Sequence, residues 1–204
     1  DLNDLPPKED QHVVSKYISD PLLISGFKFD IRLYVLITGV DPLRIYIYNE
    51  GLVRFASEPY QAGIKGSKFS HLTNYSINKT NKAFVQNQSA SAQDVGNKWS
   101  MSALQSHMKK AGIDVRAMWS NIYDTVIKSI ISVEGHLFAA SKKLRNQNLR
   151  TGLFELLGYD IMLDSKLNPW ILEVNLAPSL SADSPLDYHI KSNLIVDIFN
   201  MAGI

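Results

Sequence analysis

Between Lys28 and Thr38 the apolar residues Phe29, Ile31, Leu33, Val35 and Ile37 alternate with Lys28, Asp30, Arg32 and Tyr34. Successive side chains of a strand point to opposite faces, so the first set packs on a core and the second shares the other face. A slip of one residue would drive the charges into that core, so the phase of this strand is fixed early. Val, Ile, Leu and Phe frame the charged stripe. That framing marks a cleft wall better than it marks a self-neutralising salt-bridge ladder on an outer surface.

The remaining pattern arranges itself around this strand. A strand is expected over residues 12–18, stopped by Asp20-Pro21, and Gly26 precedes the central one. Strands at 43–48 and 52–56 read as a hairpin around Asn49-Glu50-Gly51, since Gly supplies the positive φ of a tight turn. Residues 78–97, rich in Asn, Gln, Ser and Ala, read as a long mobile loop. Residues 99–111 carry helical spacing (Met101, Leu104, Met108) up to Gly112. Asp114 caps a longer helix with the stripe Val115, Met118, Trp119, Ile122, Val126, Ile130, Val133 and Leu137. Strands at 154–163 and 170–175 flank a turn at 164–169. Ser184-Pro185 opens a final helix with Ile190, Leu194, Ile198 and Phe199 inward. The order of strands, helices, strands and helix predicts an α+β fold whose largely antiparallel sheet is packed by helices.

Composition narrows the function classes. The 204 residues include 21 Lys and Arg against 20 Asp and Glu, a balance unlike that of a nucleic-acid binder. Cysteine is absent, which removes disulfides, thiolate metal sites and Cys nucleophiles. No apolar run reaches the ~18–20 residues of a membrane span, and the polar start has no signal-peptide stretch. The start also lacks Met, so residues 1–11 are expected to be a linker from an upstream part, with the domain over 12–204. G-x-S-x-G, H-E-x-x-H and Walker A motifs are missing, which removes those hydrolases, zincins and P-loop enzymes.

The strongest chemical signal is a pair of segments, Gly158-Tyr159-Asp160-Ile161-Met162-Leu163 and Trp170-Ile171-Leu172-Glu173-Val174-Asn175. A turn centred between Lys166 and Leu167 puts Asp160 opposite Glu173, with Asn175 on the same face. Like charges directly opposed are destabilising, so the pair needs a reason. Oxygen-only donors from two or three side chains suit Mg²⁺ serving a nucleotide, and a solvated strand face is the plainer alternative. Lys28, Asp30, Arg32 and Arg54 add donors suited to phosphate and carboxylate. His71-Leu72-Thr73-Asn74-Tyr75-Ser76 is weaker, being ordinary turn chemistry too. Lys142, Lys143 and Arg145, with Arg150, read either as a solvated helix end or as a landing site for an acidic polymer.

Together these blocks become familiar. Lys16-Tyr17-Ile18, the segment from Gly26 to Tyr34, Arg54-Phe55-Ala56, residues 71–76 and Glu173-Val174-Asn175 follow the order of the tubulin tyrosine ligase-like family, which the chain resembles from about His12 to Gly203. Gly96-Asn97-Lys98-Trp99-Ser100-Met101-Ser102-Ala103 looks like its glutamylase branch. The resemblance implies an ATP-grasp fold, here as its C-terminal portion, and an ATP- and Mg²⁺-dependent ligase. It places Lys16, Tyr17 and Ile18 along the adenine, and Lys28, Asp30, Thr73 and Asn74 at the nucleotide. Asp160, Glu173 and Asn175 become the metal ligands. Arg32 and Arg54 face the reacting end, with Glu173 counted among the catalytic groups, while Arg54, Tyr75, Ser76 and Lys98 hold substrate. Ser15 departs from the family, much of which has Gln there, and its glycine-rich phosphate loop lies upstream of His12.

The implied activity is transfer of free L-glutamate to glutamate side chains of tubulin C-terminal tails through an acyl phosphate. A monomer on microtubules is expected, in the cytoplasm and cytoskeleton, with cilium or basal body included, and without nucleic acid or membrane. Leu176, where some chain-elongating relatives carry His, leans towards chain initiation. The competing reading is a non-catalytic microtubule-binding module that keeps the fold; three retained metal ligands argue against it.

Overall fold

A computed structural model describes residues 15–63, 67–145 and 154–203. Its centre is β2 (Phe27–Val40), the strand that the alternation predicts. A two-residue β1 (Leu23–Ile24) pairs with it across Ser25-Gly26, both at positive φ. β3 (Leu43–Phe55) returns along β2, and β5 (Glu155–Leu163) flanks the other side. β4 (Lys98–Ser100) and β6 (Pro169–Asn175) complete the order β4-β3-β2-β5-β6, and every pairing is antiparallel.

The two faces carry two cores. On one, Phe29, Ile31, Leu33, Val35 and Ile37 pack with Val53, Tyr159 and Ile161 under α3 (Met101–Lys110) and α4 (Val115–Ile131). Partly buried Leu137 of α5 (Glu134–Arg145) joins the same cluster. On the other, α6 (Pro185–Ala202) lays Leu186, Ile190, Leu194 and Ile198 over Tyr34, Leu36 and Leu52. Two single-turn helices, α1 (Lys68–His71) and α2 (Tyr75–Asn78), follow β3.

Several sequence expectations need correction. Residues 12–14 of the first expected strand lie outside the described residues, and 15–18 form no strand. The hairpin around Asn49-Glu50-Gly51 does not exist: β3 runs through it, and the chain reverses at the cis Asp41-Pro42 bond instead. Leu33 pairs with Gly51 and Val35 with Ile47, so residues 48–50 are a bulge against Tyr34. Gly51 is needed there because a Cβ would stand 2.5 Å from the Arg32 carbonyl oxygen. Trp99 belongs to β4, and α3 starts only after Ser100, whose hydroxyl caps the Ala103 N–H.

The long stripe belongs to two helices. At the end of α4 the Ser132 N–H still reaches the Lys128 carbonyl, but the Val133 N–H turns to Ile130. This tighter turn takes Val133 off the stripe, leaving it 45% exposed. Phe199 is 48% exposed on the outer side of α6 rather than inward. Among the described residues no helix is long and apolar enough to cross a membrane.

Candidate functional site

Pairing register gathers the charged residues. Arg32 lies opposite Asp160, and Asp160 opposite Glu173; one row away, Asp30 lies opposite Arg54, and Arg54 opposite Lys98. Asn175 pairs with Gly158, two residues from Asp160 and therefore on the same face. α6 covers the apolar half of that face and leaves the charged half to the polar groups. The expected Asp160–Glu173 pairing is correct, although the turn half of the hairpin is offset by one. Ile161 pairs with Ile171, so Leu172 is an unpaired bulge residue that restores the phase at Glu173.

The arginines are held by carboxylates. Arg32 grips Asp160 through both Nε and Nη2, the latter at 2.8 Å. Arg54 grips Asp30 in the same two-pronged way, with Nε at 3.0 Å, and its Nη2 also lies 2.7 Å from Asp160. Burial alone would raise the Asp160 carboxyl, but hydrogen bonds from Arg32 and the charge of Arg54 hold it below the ordinary carboxylate value. Burial works against the Arg54 charge, and Asp30 and Asp160 more than compensate. Tyr34 is pushed up to about 12, chiefly by burial, and its hydroxyl has no hydrogen-bond partner among the described residues.

Lys28 is different. Only 8% exposed, its ammonium reaches the Tyr17 hydroxyl at 3.4 Å and sits 4.9 Å from that ring's centre. Burial lowers its proton affinity, with Asp30 offsetting part of the effect. The Tyr17 hydroxyl bonds His71 Nδ1 at 2.7 Å, which joins residues 16–18 to the 71–76 segment. Lys16 is exposed and Ile18 half-buried beside it. Asn78 fixes that segment to the end of β3: its amide oxygen accepts from the Ser57 N–H and hydroxyl, and its amide nitrogen donates to the Leu72 and Asn74 carbonyls. Thr73 is thereby buried, Asn74 and Ser76 stay exposed, and Tyr75 lies half-buried under Lys98, whose ammonium is 4.4 Å from its ring centre.

Two residues that the sequence reading missed complete the cluster. Asp187, fully buried in the first turn of α6, accepts from Lys98 Nζ at 2.6 Å and from the Ser184 hydroxyl at 3.1 Å. Lys191, one turn on, holds its ammonium 4.0 Å from Asp187 and donates to the Ser181 carbonyl. The available signal was the spacing: an acid three residues after a Ser cap, then a Lys at i+4. The basic group is elsewhere. Lys142 and Lys143 are exposed on α5, in the layer behind the sheet; Arg145 ends that helix, and Arg150 lies outside the described residues.

The donor chemistry fits a hard divalent cation. Exposed Glu173 accepts only from Asn175 Nδ2 at 3.2 Å among the described contacts. Asp160 meets three guanidinium N–H groups, and a carboxylate offers about four lone-pair sites, so one remains. Two carboxylates and an amide oxygen with open positions are a Mg²⁺-type oxygen set. The weakly partnered Lys28 ammonium fits a polyphosphate in the same way.

The mixed helix–sheet unit, with cationic and carboxylate donors collected on one face of an antiparallel sheet, has the ATP-grasp-like fold of the family that its sequence matches. More narrowly, the model of the tubulin-tyrosine ligase family matches residues 1–204, and the chain belongs to that family. It is 48% identical over 197 residues to the human protein named tubulin polyglutamylase TTLL5, covering 96% of this chain and 15% of that one. Human tubulin monoglutamylase TTLL4 is 46% identical over 199 residues, covering 97% and 16%. A probable beta-tubulin polyglutamylase of Tetrahymena thermophila is 47% identical over 200 residues, covering 96% and 17%. The chain thus spans about a sixth of the length of these relatives.

Proposed function

We propose that the protein to which this domain belongs is an ATP- and Mg²⁺-dependent ligase that adds glutamate to glutamate side chains of tubulin C-terminal tails. The observation that carries this reading is the gathering of Lys28, Asp30, Arg32, Arg54, Asp160, Glu173 and Asn175 on one sheet face by pairing register. The names of relatives at 46–48% identity support the choice of amino acid and acceptor.

Activation of the acceptor carboxylate as an acyl phosphate, followed by attack of the amino-acid amine, needs no enzyme nucleophile, so the absence of Cys is consistent with it. Asp160, Glu173 and Asn175 would hold Mg²⁺, which neutralises phosphate charge when bound. Lys28 and Arg32 donate to the phosphates; Thr73 and Asn74 sit beside them, and Tyr17 with Lys16 and Ile18 borders the base. Arg32 and Arg54 stand as fixed positive charges where negative charge develops. Lys98, Tyr75 and Ser76 line the amino-acid end, with Arg54 between the two regions. The exposed Lys142 and Lys143 attract the acidic tail by weak, salt-sensitive contacts. The place of work is the cytoplasmic cytoskeleton, cilia and basal bodies included, and the enzyme acts as a monomer.

The test is ligation of radiolabelled glutamate to tubulin by the full-length protein with ATP and Mg²⁺. Omission of either ATP or Mg²⁺ should abolish incorporation. Incorporation of tyrosine or glycine in preference to glutamate would overturn the reading.

A further inference from the structure

We propose that Asp187 is a positioning residue that holds Lys98 and Lys191 as a pair of ammonium groups for the side-chain carboxylate of the incoming amino acid. The inference deepens the glutamylase reading and rests on it.

The positive charge of the site is unevenly engaged. Arg32 and Arg54 are saturated on one side: their forks are closed on Asp160 and Asp30, and Arg54 also reaches Asp160. Neither has its Nε free for a ligand. The lysines are less engaged. Asp187 is a single carboxylate between two of them, close to Lys98 at 2.6 Å and standing off Lys191 at 4.0 Å. Among the described residues its Oδ1 is buried without a hydrogen-bond partner, so none of their donors closes the gap to Lys191. Among the described residues Lys191 itself donates a hydrogen bond to one carbonyl, that of Ser181.

Burying an ammonium is costly unless its charge is matched; here two nearly buried lysines share one buried carboxylate, with exposed Asp183 acting from the solvent side and Arg32 adding positive charge. Among Lys98, Lys191 and Asp187 the surplus is one positive charge. The N-terminus of α6, an 18-residue helix, adds partial positive charge at the same place. Such a position favours an anionic group over a neutral isostere, because the neutral one leaves the ammoniums unmatched. Lys98 also lies above Tyr75 and beside Arg54, which connects the pair to the arginine cluster. Asp187 contributes by fixing both amines: it takes Lys98 from β4 and Lys191 from its own helix, and Ser184 locks its orientation. Glutamate is therefore preferred to glutamine at the level of binding.

The experiment uses the full-length protein, tubulin, and radiolabelled glutamate and glutamine as competing donors. Lys191→Met should raise KM for glutamate by about tenfold or more, the scale of a lost charged hydrogen bond, and narrow the preference over glutamine. KM for ATP should stay within about twofold, since the nucleotide-side residues are untouched. Lys191→Arg should restore much of the preference, and Asp187→Asn should weaken glutamate in the same direction. An unchanged glutamate KM in a Lys191→Met protein that melts like the parent overturns the proposal while leaving the glutamylase reading intact. An equal loss for ATP also overturns it. If the parent protein transfers no glutamate to tubulin, both fall. Should Lys191→Met fail to fold, Lys98→Gln is decisive: persistence of the parent's glutamate-induced rise in melting temperature overturns the proposal, and its loss supports it.

Discussion

Arg54 shows how much one side chain can tie together. Its guanidinium connects Asp30 of β2 to Asp160 of β5 while its backbone sits in β3, so three strands meet at one charge. Removing it would leave buried Asp30 without its guanidinium partner and Asp160 held by Arg32 alone. Arg54→Ala should therefore destabilise the domain by about 3–5 kcal/mol, read as a fall in the urea midpoint, where a surface pair would cost under about 1. A second expectation concerns acid. The folded-state proton affinity of Asp160 is held below its unfolded value, so its contribution is fully present above the ordinary Asp pKa of about 4. It is lost as pH falls through the lower folded value, and Asp160→Asn should flatten that limb of a stability-against-pH curve. At this scale the sequence was legible only in part. Alternation put Lys28, Asp30 and Arg32 on one face because period two needs no knowledge of partners. The Arg54–Asp160 and Lys98–Asp187 pairs join residues about a hundred positions apart, and no local pattern encodes them. Asp187 and Lys191 were hidden for that reason, in a helix read only for its apolar side.

Elements were misread where one residue type serves two purposes. Glycine after Asn-Glu reads as a turn, yet Gly51 is there because the Arg32 carbonyl needs the space of a missing Cβ. The true reversal at Asp41-Pro42 falls in the gap between the strands expected at 28–38 and 43–48, which the spacing leaves open without marking it as the hairpin. Gly51→Ala should push β3 away from β2 next to Arg32, costing about 1–3 kcal/mol as an overpacked contact does. A thermal melt of the purified domain-containing protein checks this, and a loss no larger than at an exposed Ala site would argue against the close approach. Trp99 was drawn into a helix because a three-residue strand is too short to show its own period, and the Ser100 cap was the better boundary signal. The long stripe from Val115 was legible as far as Ile130, where the hydrogen-bond ladder tightens; sequence spacing alone cannot show a one-residue change of that ladder.

The whole molecule is a sheet with unequal faces: one dry beneath three helices, the other divided between α6 and a charged floor. Stability and chemistry are therefore separable at exposed positions on the charged side. Glu173→Gln should leave the melting temperature of the full-length protein within about one or two degrees, since the side chain is exposed and makes one hydrogen bond. Ligation should disappear with it, and normal turnover would remove Glu173 from the metal site. Neutralising Lys142 and Lys143 should act differently, weakening tubulin-tail affinity to the extent that added salt does, without changing the catalytic step, because α5 stands in the layer behind the sheet. Length matters to this architecture in a way that composition does not. Leu172 is the surplus residue opposite the Asp160 position, and its deletion would let Glu173 and Asn175 fall into regular pairing on the face they already occupy. Deleting Val174, two places later, would instead carry Asn175 to the opposite face, beside Tyr159 and away from Asp160. The strand thus contains one spare tooth: a position that can be lost without jamming the mechanism, beside neighbours that cannot.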